Sequence, residues 1–596
     1  MKKYLTRGFA MLLALCMVFS LVACGGGEEV PAEGSEGSGG AAAVQKILKQ
    51  SSSAAPTTLN PHNSQQSSDN NAIAYVTSTL YGYILDKDTN RGKLAPVLAA
   101  DVPVDVNGDG TVWQIKINEK AQWHNGDPIN ADTFIYSWKM CLDPKLVSIK
   151  ASDLASGTVK IVNATEYCTQ LTSGVEVAWE DVGIKKIDDY TIELTLTEPY
   201  SQKEVMLHTK SNGCMPVYEP LYEAGMNADR TETSYATEFD QFMSCGQFYL
   251  GEWVKGSEML YLTNETWTHA HLTKIDGISM RVVEDNNTRI QMFESGDLDT
   301  VGLNAEGMKQ YGEDPRLRMS SSNYIDHIDI NYLNTDYPIL ANINFRKALF
   351  YGTDRVTIAT LTQNYPANFL IPDTGVSYAD GTAFRDLPIA QEYLGDNYDY
   401  DPELALEYFN KAWEEEGMEG KKLDLTLLYA NDKQSVTMTA QFLQEAWPAI
   451  FGTDRISLEL QGMPNQQAMD QKKSFKTNPN AYELALSRWS LAAGELNPIR
   501  FMEPYTSTYA RRNGAYRCDV HDEMYALAKT AEVRMDEVKL AEATAAAEKA
   551  LLDTVTVVPI YQESSFSLTG ARLILPFAEE DPTLGWGLKY GDLRVG

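Results

Sequence analysis

Residues 111–141 read TVWQIKINEKAQWHNGDPINADTFIYSWKMC. The stretch opens on Thr111-Val112-Trp113-Gln114-Ile115-Lys116-Ile117. Its alternating apolar and polar residues have the period of a strand buried on one face. It closes on Thr133 to Cys141, spaced as a helix, with Asp132 placed to cap the amino end. The same two periods recur outward along the chain. Tyr190-Thr191-Ile192-Glu193-Leu194-Thr195-Leu196 alternates like a second strand. Pro402 to Glu416 reads as a long helix, with Asp401 as cap, Pro402 at the first position and Gly417 just past the end. Asp536 to Asp553, rich in Ala and Glu, reads as another. Helices and strands interleaved in this way predict an α/β fold. The chain has no internal repeat.

Composition narrows the function. The 596 residues carry a formal charge of −32, with 43 % hydrophobic and 10 % aromatic residues. That supports a buried core and argues against disorder. At ~150 residues per domain the length alone suggests about four domains. The acidity argues against a generic nucleic-acid binder, because phosphates repel such a surface. It also disfavours electrostatic docking on anionic lipid.

The amino terminus reads as an export and anchoring signal. Lys2, Lys3 and Arg7 precede an uncharged, mostly apolar run from Gly8 to Ala23, short for a membrane span. The run ends in Leu21-Val22-Ala23-Cys24, which resembles a bacterial lipobox. On this reading 1–23 is a signal peptide and Cys24 is lipidated. Loss of the three positive charges takes the mature chain from −32 to −35. No later segment has ~18 continuous apolar residues, so the lipid is the expected anchor. Residues 25–43, GGGEEVPAEGSEGSGGAAA, form the expected tether, with a random-coil reach of about 25 Å.

Motifs for chemistry are scarce. There is no GxxxxGK[ST], GxGxxG, GxSxG or HExxH. His269 and His271 suit one face of a strand, but no third ligand stands nearby, so surface histidines are favoured over a metal site. Asp105-Val106-Asn107-Gly108-Asp109-Gly110 imitates the start of a calcium loop. Its twelfth position is Lys116, where a Glu is needed, so a turn is the better reading. Cys141, Cys168, Cys214, Cys245 and Cys518 are odd in number, so at least one is unpaired or pairs externally. An exported aromatic-rich α/β body with no visible nucleophile is expected to be a binding protein rather than an enzyme, and no cofactor is implied.

Several segments together resemble a known family. Pro56-Thr57-Thr58-Leu59-Asn60-Pro61, Leu94-Ala95-Pro96-Val97-Leu98-Ala99 and Trp123-His124-Asn125-Gly126-Asp127-Pro128-Ile129-Asn130-Ala131-Asp132-Thr133-Phe134 match its early motifs in order. Gly246 to Trp253, Asn264-Glu265-Thr266-Trp267, Asn287 to Asp299, and Asn344-Phe345-Arg346-Lys347-Ala348-Leu349 with Thr353-Asp354-Arg355 match the later ones. From about residue 47 to the carboxyl terminus the chain resembles solute-binding protein family 5, the oligopeptide- and dipeptide-binding lipoproteins of ABC importers. The resemblance implies a two-lobed periplasmic-binding-protein type II fold, α/β, with a hinged cleft and an additional inserted domain. It implies a first lobe of 44–93, 240–322 and 559–596, an inserted domain of 94–239 and a further lobe of 323–558. It implies a monomer on the extracytoplasmic face of a bacterial cell membrane, held there by lipid. Such a protein hands a peptide to permease subunits driven by separate ATPase subunits. Relatives of this fold also take other solutes, so an oligosaccharide, nickel chelate or opine-like ligand is the alternative.

The same resemblance points to site residues. Leu484-Ala485-Leu486-Ser487-Arg488-Trp489-Ser490 resembles the strand that lies along the peptide, with the backbone of Arg488 and Ser490 beside the ligand and Trp489 either at the cleft or in the core. Leu80-Tyr81-Gly82-Tyr83 resembles the opposing edge. Tyr81 stands where many members have Glu, and its ring either stacks on a ligand or packs inside. Tyr561, after Pro559, resembles a cleft tyrosine, and Met463 stands where Trp often lines the pocket. Ala492 replaces an Asp that in many members holds the peptide amino group. Glu495, in a loop longer by two residues, is the expected substitute.

Overall fold

The structure is a computed structural model that describes residues 45–394, 398–491, 496–509 and 514–594. Cys24, the signal segment, the tether, Ala492 and Glu495 lie outside the described residues. The strands in chain order are β1 (Ile47–Ser52), β2 (Tyr81–Asp86), β3 (Arg91–Pro96), β4 (Val104–Asp105), β5 (Val112–Lys116), β6 (Ile184–Asp188), β7 (Thr191–Thr195), β8 (Phe248–Val254) and β9 (Glu258–Thr263). They continue with β10 (Gly277–Val282), β11 (Thr300–Leu303), β12 (Leu317–Ile330), β13 (Tyr365–Pro366), β14 (Leu423–Ala430), β15 (Ile456–Met463), β16 (Leu484–Trp489) and β17 (Val557–Thr569). Three main sheets result, ordered β1-β10-β9-β8, β4-β5-β7-β6 and β11-β17-β12-β16-β14-β15, with β13 added beside β17 in the last.

The opening stretch of the sequence becomes the centre of the second sheet. Trp113 and Ile115 point inward from β5, which pairs with β7 through Trp113–Leu194 and Ile115–Ile192. Phe134 and Trp138 of the following helix, Ala131–Leu142, seal that core. The cap of this helix is Asn130, not Asp132. Thr133 N–H donates to the Asn130 side chain at 3.2 Å, and Asn130 N–H donates back to the Thr133 hydroxyl at 3.3 Å. Ala131 is fully buried as the first helical residue, which moves the start one residue upstream. Asp132 lies in the first turn and pairs with Lys186 at 2.8 Å. The Pro402–Glu415 helix is capped by Asp401, which accepts from Leu404 N–H at 2.9 Å, and Gly417 follows at φ +58°. Asp536 caps Glu537–Asp553. Asp105, the last residue of β4, holds the turn that follows, accepting from Gly108 and Gly110 N–H at 3.0 and 2.7 Å. All five described cysteines are free thiols.

The third sheet organises the rest. β14, β15 and β16 run parallel, and helices cover both faces. β12 and β17 are long antiparallel partners that cross between two cores. Leu568 of β17 packs with Ile290, Phe293, Leu298 and Val301. Further along the pair, Ile325, Ile328, Val557, Val558 and Ile560 belong to the largest core, with Phe345, Trp447 and Phe451. Two strands passing between separately packed bodies are the connection a two-lobed binding fold needs. The inserted segment does not keep a wholly private core. Met140, Met215, Val217 and Tyr222 pack with Leu48, Phe248 and Tyr261 of the first sheet region.

Candidate ligand crevice

Parallel strands place their carboxyl ends, and the loops after them, on one rim. In open α/β sheets that rim is where ligands lodge. Here it is formed by Ala430 at the end of β14, Met463 at the end of β15, and Trp489 with Ser490 at the end of β16. The helix Gln434–Phe451 begins three residues after β14, so its amino end faces the same rim. No side chain caps that end, and its first turn has no acidic residue.

The edge of β16 is only half occupied. On one side β12 pairs with all of it, from Ile330–Leu484 to Ile325–Trp489. On the other side β14 pairs only through Leu427–Leu484 and Leu428–Ala485. Beyond Ala485, β14 diverges with β15, which it follows as far as Ala430–Met463. Among the described residues, the β14-facing edge of Leu486–Trp489 is therefore free of a strand partner.

Register sorts the side chains around that edge. Asp326 of β12 stands opposite Arg488 on one neighbour and Tyr561 on the other, so the three share a face. Arg488 Nη1 lies 2.8 Å from Glu563 Oε1, and Lys433 Nζ lies 2.8 Å from the same oxygen. The Arg488 guanidinium also sits 4.8 Å from the Tyr324 ring centroid. Burial alone would weaken the Arg488 charge, but Glu563 and Asp326 outweigh it and hold the guanidinium above its ordinary value. Asp326 is 6 % exposed, and its Oδ2 has no hydrogen-bond partner among the described residues. Burial first, then Glu563, pushes its carboxyl well above the usual carboxylate range, against the pull of Arg488 and Lys433.

The residues expected from the sequence do not all gather here. Arg488 and Ser490 flank the half-open edge, each partly exposed. Trp489 points to the opposite face from Arg488, edge-on to Tyr509 at 6.2 Å, with a buried indole N–H that has no hydrogen-bond partner among the described residues. Met463 closes the end of β15 and leans on the small cluster of Leu428, Tyr482 and Ala485. Tyr81 is fully buried, and its hydroxyl donates to Asp101 O at 3.0 Å, so the ring packs in the core and cannot stack on a ligand. Tyr561 is 1 % exposed and packs in the largest core beside Asp326. Its place is beneath the crevice, not at its surface. Gly82 is half-buried, and an added Cβ would stand 3.3 Å from Val97 Cγ2. Tyr83 is half-buried with Lys210 Nζ 5.4 Å from its ring. Burial, Glu537 and Asp581 all raise its hydroxyl pKa, which places residues of three chain segments around it.

Sequence reasoning missed Lys433, Glu563 and Asp326. The available signal was Tyr324-Ile325-Asp326-His327-Ile328-Asp329, where charges sit inside an apolar alternation.

β3, the segment after it and the largest body also meet directly. Leu94 N–H donates to Ala379 O at 2.9 Å. Lys203 donates to Ser377 O and lies 3.6 Å from Glu537. Arg534 lies 3.2 Å from Glu204 and 3.6 Å from Glu198, donates to Pro199 O and covers the Tyr200 ring at 4.3 Å. A separate cavity of about 570 Å³ is lined by Tyr351, Ile389, Tyr393, Tyr398, Lys549 and Asp553 among others. No strand end reaches it, and its Tyr398 and Lys549 are tied to Asp553.

Known proteins share this fold. The oligopeptide-binding protein OppA of Bacillus subtilis is 26 % identical over 476 residues, 77 % of this chain and 78 % of its own. The dipeptide-binding protein DppE of the same organism is 27 % identical over 461 residues, 76 % of this chain and 77 % of its own. The solved structure of the murein tripeptide-binding protein MppA in its unliganded open form aligns with a TM-score of 0.72, at 19 % identity, covering 92 % of this chain and 98 % of that one. Listeria monocytogenes OppA bound to peptide aligns at 0.58, with 21 % identity, covering 93 % and 100 %. The fold is thus the two-lobed α/β solute-binding fold that the motifs implied. The family profile matches residues 93–513, most of the chain, and on that match the protein belongs to the bacterial extracellular solute-binding proteins, family 5.

Proposed function

We propose that the protein captures peptides by strand addition at β16 and delivers them to an ABC import permease. The observation that carries this reading is the half-occupied edge of β16. An extended peptide offers backbone N–H and C=O groups at the strand period, and such an edge binds them without reading side chains. Bridging waters then let varied side chains fit. The names of the relatives, oligopeptide- and dipeptide-binding proteins, favour the same ligand class. Native mass spectrometry of protein purified with its ligand tests this. Peptide masses are the expected result; a sugar, a metal chelate or another non-peptide solute overturns it.

The proposal extends to the rest of the chain. The lobes are 44–93 with 240–322 and 559–596, an inserted 94–239, and 323–558, closing over the ligand about β12 and β17. The protein acts as a monomer without catalysis, so incubated peptides are recovered intact. Glu495 takes the ligand's amino group in place of the Asp replaced by Ala492. Acetylating that amino group should then weaken binding, and equal affinity for the free and acetylated peptides removes Glu495 from the site. Lipid on Cys24 holds the protein at the extracytoplasmic face. Cys24→Ala should move it from the membrane fraction to the medium, and retention of a processed form in the membrane overturns the anchor.

A further inference from the structure

β12 and β17 do not pair evenly where they pass between the two cores. Ser321 stands opposite Ser564 and Ile325 opposite Gln562, so three residues of β12 face one of β17. Such a bulge interrupts the ladder and lets the strand bend. It falls where the strand leaves one core for the other: Leu317 leans on the cluster of Ile290 and Phe293, and Ile325 belongs to the largest core. Side chains hold the interrupted backbone. Gln562 Nε2 donates to Ser322 O at 2.6 Å, and Asn323 Nδ2 donates to Leu491 O at 2.8 Å.

Two carboxyls meet at this bulge, and they come from opposite sides. Ser321 N–H donates to Glu580 Oε2 at 2.8 Å, and the Ser321 hydroxyl donates to Asp373 Oδ2 at 2.9 Å. Asp373 follows Ile371 of the largest core. Glu580 follows Phe577, which packs with Leu85, Leu272 and Tyr590. One residue of the crossing strand therefore holds an acid from each body. Gln562, fully buried, grips Asp373 with both ends of its amide: Nε2 donates to Asp373 Oδ1, and Asp373 N–H donates to Oε1 at 3.2 Å.

Both carboxyls are half-buried, and among the described residues neither makes an ion pair. The other titratable groups within reach are Tyr365 of β13, Arg385 and Asp581. Arg385 is tied to Glu548, and Asp581 accepts from the N–H groups of Gly92, Thr583 and Leu584 at 2.9 Å each. Burial is the largest influence and pushes both carboxyls above their ordinary range. Gln562, Ser321 and Arg385 pull Asp373 back; Ser321 and Ser320 pull Glu580 back, while Asp373 and Asp581 push it further up.

We propose that Asp373 and Glu580 form a pH-sensitive pin at the β12 bulge: while the pair keeps a proton the two bodies stay in the arrangement seen here, and its loss frees them to turn. Two like charges held on neighbouring atoms of one serine repel, so the second ionisation is resisted as long as the pair stays together. Turning separates the acids and returns them to water. A carboxyl raised in one arrangement stabilises it in acid, and that contribution is lost as pH rises through the raised value. The pin rests on the reading that the bodies turn about β12 and β17, and it does not depend on the class of ligand.

Pulsed dipolar spectroscopy tests it. Ketone-bearing residues placed at exposed Val254 and Leu361, one on each body, take spin labels without touching the native thiols. In the unliganded protein the label distances should be narrow at pH 5. The population away from that distance should rise about tenfold or more by pH 8. Asp373→Asn with Glu580→Gln should stay narrow at both pH values while an excess of mixed tri- to hexapeptides still shifts the distance. Should the double variant melt early, Asp373→Asn alone carries the comparison, since one neutral partner removes the repulsion. A wild-type distance that peptide moves but pH does not overturns the pin and leaves the pivot standing, as does a pH response that the variants keep. A distance that neither pH nor peptide moves overturns the pivot, and the pin with it.

Discussion

Asp326 and Asp329 stand three residues apart on β12 and point to opposite faces of one sheet. Both are sealed from water, at 6 % and 0 % exposure. Asp329 has a partner on each oxygen: Lys472 Nζ at 2.7 Å from Oδ2 and the Tyr516 hydroxyl at 2.7 Å from Oδ1, with His327 Nε2 nearby at 3.2 Å. Burial opposes its charge, yet Lys472 and His327 outweigh burial and hold the carboxyl below its ordinary range. Asp326 has cations within Coulombic reach, but they are committed to Glu563, and its carboxyl is pushed up instead. The strand, the burial and the residue type are nearly constant, so the difference comes from where the partners' donors go. A buried carboxylate that owns its partners locks a fold. One whose partners are held at arm's length by a third group sits beside a place built for something else.

The largest effect should come from breaking the satisfied member. Lys472→Met leaves Asp329 buried without its ammonium, which costs about 3–5 kcal/mol. Urea unfolding measures it, and a loss under about 1 kcal/mol would mean that the pair contributes little. The sign with pH follows from the lowered carboxyl. Its contribution is present above the unfolded carboxylate value near ~3.9 and is lost as pH falls through the folded value. The gap between wild type and Lys472→Met should therefore narrow on acidification.

The unsatisfied member should respond the other way and more weakly. Asp326→Asn removes a charge that the site resists. It should stabilise the protein by about 1 kcal/mol at pH 8, the scale of a buried polar group without a partner. A carboxyl raised in the folded state contributes stability below its unfolded value, and that contribution is lost as pH rises. The advantage of Asn should thus vanish near pH 4. Thermal melts of both proteins at the two pH values decide it: a destabilised Asp326→Asn at pH 8 would show that the carboxylate is charged and useful.

The sequence carries unequal parts of this picture. The strand period of Val112–Lys116 and the capped helices Pro402–Glu415 and Glu537–Asp553 are local, and they were legible. Asn130 was not picked over Asp132, because both are good caps and only the burial of Ala131 chooses between them. Tyr561 read as a cleft residue and Tyr81 as either cleft or core, because tyrosine suits a wet edge as well as a core, and a one-residue change of register moves a ring from one to the other. The Glu563 pairs were out of reach for a different reason. Lys433 is 130 positions away and Arg488 is 75, and only the β17-β12-β16-β14 order of the sheet brings them together.

The smallest effect tests why the two aspartates differ. If Glu563 is what keeps Arg488 and Lys433 from Asp326, Glu563→Gln should release them. The direct stability change should be small, about 0–1 kcal/mol, because both cations are more than a third exposed and such pairs are screened by water. The informative quantity is the coupling. Without the Glu563 charge, one contribution that raises Asp326 disappears, and the three that lower it, from Arg488, Lys433 and the Tyr561 hydroxyl, remain. Asp326 should then fall back toward ordinary carboxylate behaviour. The advantage of Asp326→Asn at pH 8 should therefore shrink or reverse in the Glu563→Gln background, and a double-mutant cycle of melting curves at pH 8 reads this as a non-additive term. Additive effects would mean that burial alone sets Asp326 apart, and that Glu563 pins the cations without influencing the carboxyl beneath them.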